Sequence, residues 1–141
     1  MNIINNEALG WLVYKTRKLL NNKLQNLLKD CGISSEQLGI LNLIHAKQGC
    51  NQKEVAEILL KDRAAVSRIL NILEKNKLVR RKNSSNDRRE FLLYITDKGN
   101  GIYEKAIKIV NQQVQEIDSI FSENERKQFK KLLNKLISDI E

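Results

Sequence analysis

Arg63, Arg68, Arg88 and Arg89 are the side chains of this 141-residue sequence whose type and spacing offer chemistry. That chemistry is anion and base recognition, because a guanidinium donates two parallel hydrogen bonds to a phosphate or a guanine edge. Arg63, Ala64, Ser67 and Arg68 recur on one side of a stretch whose other side carries Ala65, Val66, Ile69, Leu70 and Leu73 at helical spacing. Asp62 stands just before it, where a carboxylate accepts from the free amides of a first helical turn. Small and cationic residues in the first two turns are what a helix needs to enter the major groove of DNA, so 62–76 is expected to be a recognition helix.

The residues that follow change periodicity from helix to hairpin. Leu78-Val79 opens one β-prone run, and Phe91, Leu93 and Ile95 alternate along a second. Between them lies Asn83-Ser84-Ser85-Asn86, a turn-forming cluster, and then Asp87-Arg88-Arg89. The segment 83–90 reads as a wing whose arginines enter a minor groove, with Asp87 holding an arginine fork by a charge-assisted pair. Arg81 is added to the expected DNA contacts, and Lys53, Arg80, Lys82 and Lys98 to the secondary phosphate contacts. Between Lys61 and Lys98 eleven Lys and Arg face five Asp and Glu, so +6 of the chain's +8 is concentrated there. A localised excess of this kind is the electrostatic footprint of a nucleic-acid site.

The elements that must position these residues are helical. A first helix is expected over 6–30, with Ile3 and Ile4 extending its apolar character and Cys31-Gly32 closing it. Ser34 with Gln37 forms a capping box for a second helix running to about 47. A two- or three-residue strand at Gln48-Gly49-Cys50 then precedes a short helix over 52–59, capped by Asn51 with Glu54 in the box position. Val55, Ile58 and Leu59 are expected to face inward, and Leu60-Lys61 makes the turn into Asp62. Thr96 caps a long helix over 97–121, and Ser122 with Glu125 opens a last one to about 140. The fold class is thus mostly α with a small β-hairpin wing, in the order α1-α2-β1-α3-α4-β2-wing-β3-α5-α6. Residues 1–141 are expected to form a single domain, 34–99 the winged helix-turn-helix part, and 1–31 with 100–141 a helical dimerisation part. The first and last helices are too apolar for peripheral positions, and a partner subunit is the economical cover.

Composition excludes several classes. There is no proline, 41% of residues are hydrophobic and 30% charged, and no apolar run reaches membrane-span length. No signal-peptide pattern is present, so a cytoplasmic protein is expected. No Gly-rich phosphate loop, ligand cluster or nucleophile–base pair suggests an enzyme, and no cofactor or metal is expected. His45 is the only histidine, too few for a zinc site with Cys31 and Cys50.

The run Asp62, Ser67-Arg68, Leu73-Glu74-Lys75, Leu78-Val79, Arg81, Asp87-Arg88-Arg89 and Thr96-Asp97-Lys98-Gly99 resembles the signature of MarR-type transcriptional regulators, and the length matches that family too. The resemblance implies a homodimer that binds a pseudo-palindromic double-stranded DNA operator, as a repressor released by a small-molecule effector. In such proteins the effector lies between dimer helices and reading head, and Trp11, Tyr14, Arg17 and His45, with Lys15, are the side chains suited to that crevice. Each is also at home in ordinary packing. The redox thiol of the family lies early in the first helix, where this chain has none; Cys50, at a helix start, is the better placed of its two thiols. One departure stands out: Lys77 occupies the position where the family has a Gly, so Lys77 or Asn76 must take a left-handed conformation. Two other readings fit the charge: a non-specific architectural DNA binder, and a winged-helix protein-interaction module.

Overall fold

The computed structural model describes residues 7–141. The elements are α1 (Leu9–Leu27), a 3-10 turn (Lys29–Cys31), α2 (Ser35–Ala46), β1 (Cys50–Asn51), α3 (Gln52–Ile58), α4 (Arg63–Lys75), β2 (Val79–Asn83), β3 (Phe91–Ile95), α5 (Asp97–Ser119) and α6 (Glu123–Ile140). This is the mostly helical winged architecture expected. The expected helix start at 6, with Ile3 and Ile4, lies outside the described residues. Among the described residues no helix is long and apolar enough to cross a membrane.

Side-chain caps set the starts of α2 to α6. Ser34 and Ser122 each form a complete capping box, with Gln37 and Glu125 respectively. Asp62 Oδ1 accepts from Ala65 N at 2.7 Å, and Thr96 Oγ1 accepts from Gly99 N at 3.0 Å. Asn51 caps α3 by accepting from Glu54 N at 2.8 Å. The Glu54 side chain does not close the box. It pairs instead with Lys47 Nζ at 2.9 Å, since the turn before β1 brings that ammonium within reach.

The three strands form an antiparallel sheet in the order β1-β3-β2. Leu93 lies opposite Cys50 on one side and Arg81 on the other. The core is built from Ile40, Leu41 and Ile44 of α2, Val55 of α3, Val66, Leu70 and Leu73 of α4, and Val79 and Leu93 of the sheet. Ile58, expected to face inward, is 58% exposed; α3 ends at that residue and Ala56 takes the buried position. α1 and α6 contain no buried residue, although each carries a run of apolar side chains. α5 connects to α1 through Gln113, whose Nε2 donates to Leu20 O at 3.3 Å, and through a Lys23–Glu116 ion pair at 3.2 Å.

Among the described residues, two with side chains take positive φ, and they bracket α4: Leu60 at 53° before it and Lys77 at 60° after it. Lys77 rather than Asn76, which has φ −82°, carries the left-handed turn into the hairpin. A Cβ there crowds the following carbonyl, a strain of about 1–2 kcal/mol. Glycine removes the strain but loses more backbone freedom on folding. Lys77→Gly should therefore raise the unfolding free energy by about 0.5–1 kcal/mol, read by urea denaturation at fixed protein concentration. A loss of stability would contradict the strained assignment.

Candidate nucleic-acid interface

The buried stripe Val66, Ile69, Leu70 and Leu73 fixes the rotation of α4 about its axis. With that face in the core, Arg63, Ala64 and Arg68 are exposed and Ser67 is half-buried beside them. The start of α4 is tied to α3 by Gln52 Nε2, which donates to Arg63 O at 3.3 Å.

The wing loop between Asn83 and Phe91 is shaped by its own backbone. Asp87 Oδ1 accepts from Arg89 N at 2.9 Å, and Glu90 N donates to Asp87 O at 3.1 Å. Ser84 N donates across the loop to Glu90 O at 2.9 Å, and Asn86 N to Ser84 Oγ at 3.3 Å. Asp87 therefore shapes the loop through a main-chain amide, not through the guanidinium pair expected from the sequence. This is the side-chain-to-backbone turn that Asp forms readily. Arg88 and Arg89 are exposed, and among the described residues neither guanidinium has a carboxylate partner.

Several other cations of the region are engaged within the fold. Arg81, expected to touch DNA, is turned onto α4: its Nη1 donates to Asn71 Oδ1 at 2.8 Å and its Nε lies 3.9 Å from Glu74 Oε2, leaving the side chain 19% exposed. Its strand position explains this, since Arg81 shares the sheet face of Val79 that packs on α4. Arg80, on the opposite face, lies 5.8 Å from the ring centroid of its cross-strand neighbour Tyr94. Lys98 Nζ donates to Asn76 O at 3.1 Å, a cation placed at the negative end of α4. Lys53 lies 4.0 Å from Glu57, and Lys82 is exposed. Asn71 and Gln52 went unnoticed in the sequence. Asn71 and Glu74 are three residues apart on one helix face, but only the strand register shows that Arg81 meets them.

Residues 32–90 match the model of the MarR family. The HTH-type transcriptional regulator BilQ of Clostridium symbiosum is 31% identical over 105 residues, covering 74% of this chain and 73% of that protein. The chain belongs to the MarR family. The HTH-type transcriptional regulator MgrA of Staphylococcus aureus is 27% identical over 132 residues, or 93% of this chain and 88% of MgrA. The S. aureus MepR–DNA complex superposes with a TM-score of 0.91 at 28% identity, covering 94% of this chain and 98% of that one.

For this MarR-family chain the four candidate effector residues do not converge. Trp11 and Tyr14 lie against each other on α1 with centroids 5.5 Å apart. His45 stacks on Tyr103 at 4.2 Å, with Nδ1 3.1 Å from Asn100 Oδ1. Arg17 alone lines a groove of about 940 Å³ between α1 and α6, whose walls include Leu12, Val13, Leu20, Phe129 and Leu133. Helical spacing placed Trp11 and Tyr14 near Arg17 in sequence, but the two rings pack on each other and neither lines the groove that Arg17 lines. Lys15 is exposed.

Cys50 is 1% exposed and Cys31 is half-buried in the 3-10 turn. Burial pushes the Cys50 thiol up, Glu54 adds to this, and Lys47 only partly opposes it. Closeness to a helix start is thus outweighed, because desolvation disfavours the thiolate. A thiol kept neutral at pH 7 is a poor nucleophile. Iodoacetamide applied to the native protein should leave Cys50 unmodified while denatured protein is alkylated at both thiols, as read by peptide mass spectrometry. Rapid native labelling of Cys50 would overturn this account.

Proposed function

We propose that this MarR-family transcriptional regulator is a homodimeric, sequence-specific DNA-binding protein that represses transcription from a pseudo-palindromic operator and is released by a small-molecule effector. One observation carries the reading: α4 presents Arg63, Ala64, Ser67 and Arg68 outward while the wing presents Arg88 and Arg89, and none of these guanidiniums has a carboxylate partner among the described residues. Arg80, Arg81 and Lys98 are braced within the fold, whereas these four guanidiniums point to solvent, where a phosphate backbone and base edges would engage them. The likeness to a structure solved with DNA supports the same reading.

The dimer is inferred from α1 and α6. Leu9, Leu12, Val13, Leu132, Leu136 and Ile137 are all exposed in the single chain, on helices that bury no residue. A second copy placing its own α1 and α6 there removes this apolar surface from water and sets two α4 helices about one DNA turn apart, roughly 34–36 Å. Residues 34–99 then act as the reading head and the flanking helices as the dimerisation part. An effector that shifts α5 shifts α4 too, because Thr96 donates to Lys77 O at 2.6 Å and Lys98 caps the same turn. Among the described residues Arg17 is the one cation lining the apolar groove, so an anionic effector binding at the dimer seam would pair with it.

Binding to fragments of the protein's own upstream DNA, with random duplex as competitor, tests the reading. A complex at one inverted repeat that resists competitor is expected; equal loss on all sequences as salt rises would leave a non-specific binder. Arg63→Ala and Arg68→Ala should relax preference at particular base pairs by about 1–3 kcal/mol. Arg88→Ala and Arg89→Ala should weaken binding to every sequence and reduce the slope of log K against log salt by about one each. Identical effects of all four on operator and random DNA would contradict this division between helix and wing.

A further inference from the structure

Glu90 is an acid at the base of a cationic wing, and its side chain turns away from the adjacent arginines. Glu90 Oε1 accepts from Asn51 Nδ2 at 2.5 Å, in a part-buried setting. The same Asn51 caps α3 through its Oδ1. One asparagine therefore joins the wing to the first turn of α3, and the carboxylate lies beside a helix start where partial positive charge favours it. The main chain of Glu90 is engaged as well, donating to Asp87 O and accepting from Ser84 N. The β2–β3 ladder ends at the Asn83–Phe91 pair, so residues 84–90 project beyond the sheet. The Asn51–Glu90 bond ties this loop directly to the first turn of α3, a connection that the β2–β3 ladder does not supply. A negative charge beside Arg88 and Arg89 also weakens their attraction for phosphate. A carboxylate at this position is disfavoured for DNA binding unless it does something else.

We propose that the Asn51–Glu90 bond is a latch that fixes the direction of the wing relative to the recognition helix, making both residues positioning residues for Arg88 and Arg89. The proposal rests on the DNA-binding reading above. The charge-assisted bond between part-buried partners is of the stronger kind, and its geometry depends on β1 placing Asn51 opposite Leu92, two residues past Glu90.

The test compares Glu90→Gln with Glu90→Ala in the full-length protein. Both remove the charge, but only Gln keeps an acceptor for Asn51. Glu90→Gln should bind the operator about fivefold more tightly than Glu90→Ala, the size of one net hydrogen bond. That ratio should collapse to about one in an Arg88→Ala/Arg89→Ala background, since the latch acts through those arginines. Asn51→Ser, which keeps a cap and loses the amide donor, should weaken binding like the loss of the acceptor. In the protein alone, hydrogen exchange at the Ser84 and Glu90 amides should speed up in Glu90→Ala and Asn51→Ser and not in Glu90→Gln. Equal affinities of the two Glu90 variants, or a ratio that survives removal of both arginines, would overturn the proposal. So would unchanged exchange in Glu90→Ala. Selective operator binding by the unsubstituted protein reports separately on the DNA-binding reading, so failure of that reading and failure of the latch are told apart.

Discussion

The junction between the end of α4 and the start of α5 is the constraint from which the remaining geometry hangs. Thr96 N donates to Leu78 O at 3.1 Å while its hydroxyl donates to Lys77 O and accepts from Gly99 N. A Cβ on Gly99 would lie 2.1 Å from Leu78 O, so only glycine allows the first turn of α5 to seat there. Lys98 adds a cap to the last carbonyls of α4. α5 and the cationic helix α4 are thereby joined through hydrogen bonds to main-chain carbonyls, with little freedom between them. Whatever orients α5 orients Arg63 and Arg68 as well.

Given that joint, the cations divide by what surrounds them rather than by type. Arg81, Arg80, Lys47 and Lys98 each meet a neighbour within the fold: an amide and a carboxylate, an aromatic ring, a buried-side acid, a helix end. Exposed pairs of this kind contribute little stability, about 0–1 kcal/mol each. Their consequence is directional: they hold β2 and the loops against α4 and leave the outward guanidiniums to solvent. The acids near the wing follow the same logic. Asp87 and Glu90 accept hydrogen bonds from an amide and from Asn51, so neither forms an ion pair with Arg88 or Arg89.

What could be read from the sequence was local. Ser34 with Gln37, Asp62, Thr96, and Ser122 with Glu125 announce helix starts because the partner amide lies three residues on. The change from 3.6-residue to two-residue periodicity after Lys77 gives the hairpin, and the apolar stripe of α4 gives its outward face. Contacts between elements were not legible. Arg81 is cationic in a cationic run, and only the β2 register turns it onto Asn71. Glu54 sits where a capping-box acid belongs, yet the chain's turn at Gly49 offers it Lys47 first. Trp11, Tyr14, Arg17 and His45 have effector-site chemistry but do not line one cavity, and the burial of Cys50 in β1 outweighs the helix start beside it. The exposure of Ile58 follows from where α3 stops, which its periodicity does not specify.

The unburied faces of α1 and α6 connect this architecture to its proposed use. Two helices with no buried residue are a large part of a chain to leave uncovered, and the groove between them is apolar along its length apart from Arg17 and a few small polar groups. A second chain would cover it and, through α5 and the junction at Gly99, fix the spacing of two recognition helices. The mass of the protein–operator complex, combined with its footprint, examines this directly. The account predicts two chains per duplex and two protected patches about one helical turn, roughly 34–36 Å, apart. A single chain on a single patch would contradict it.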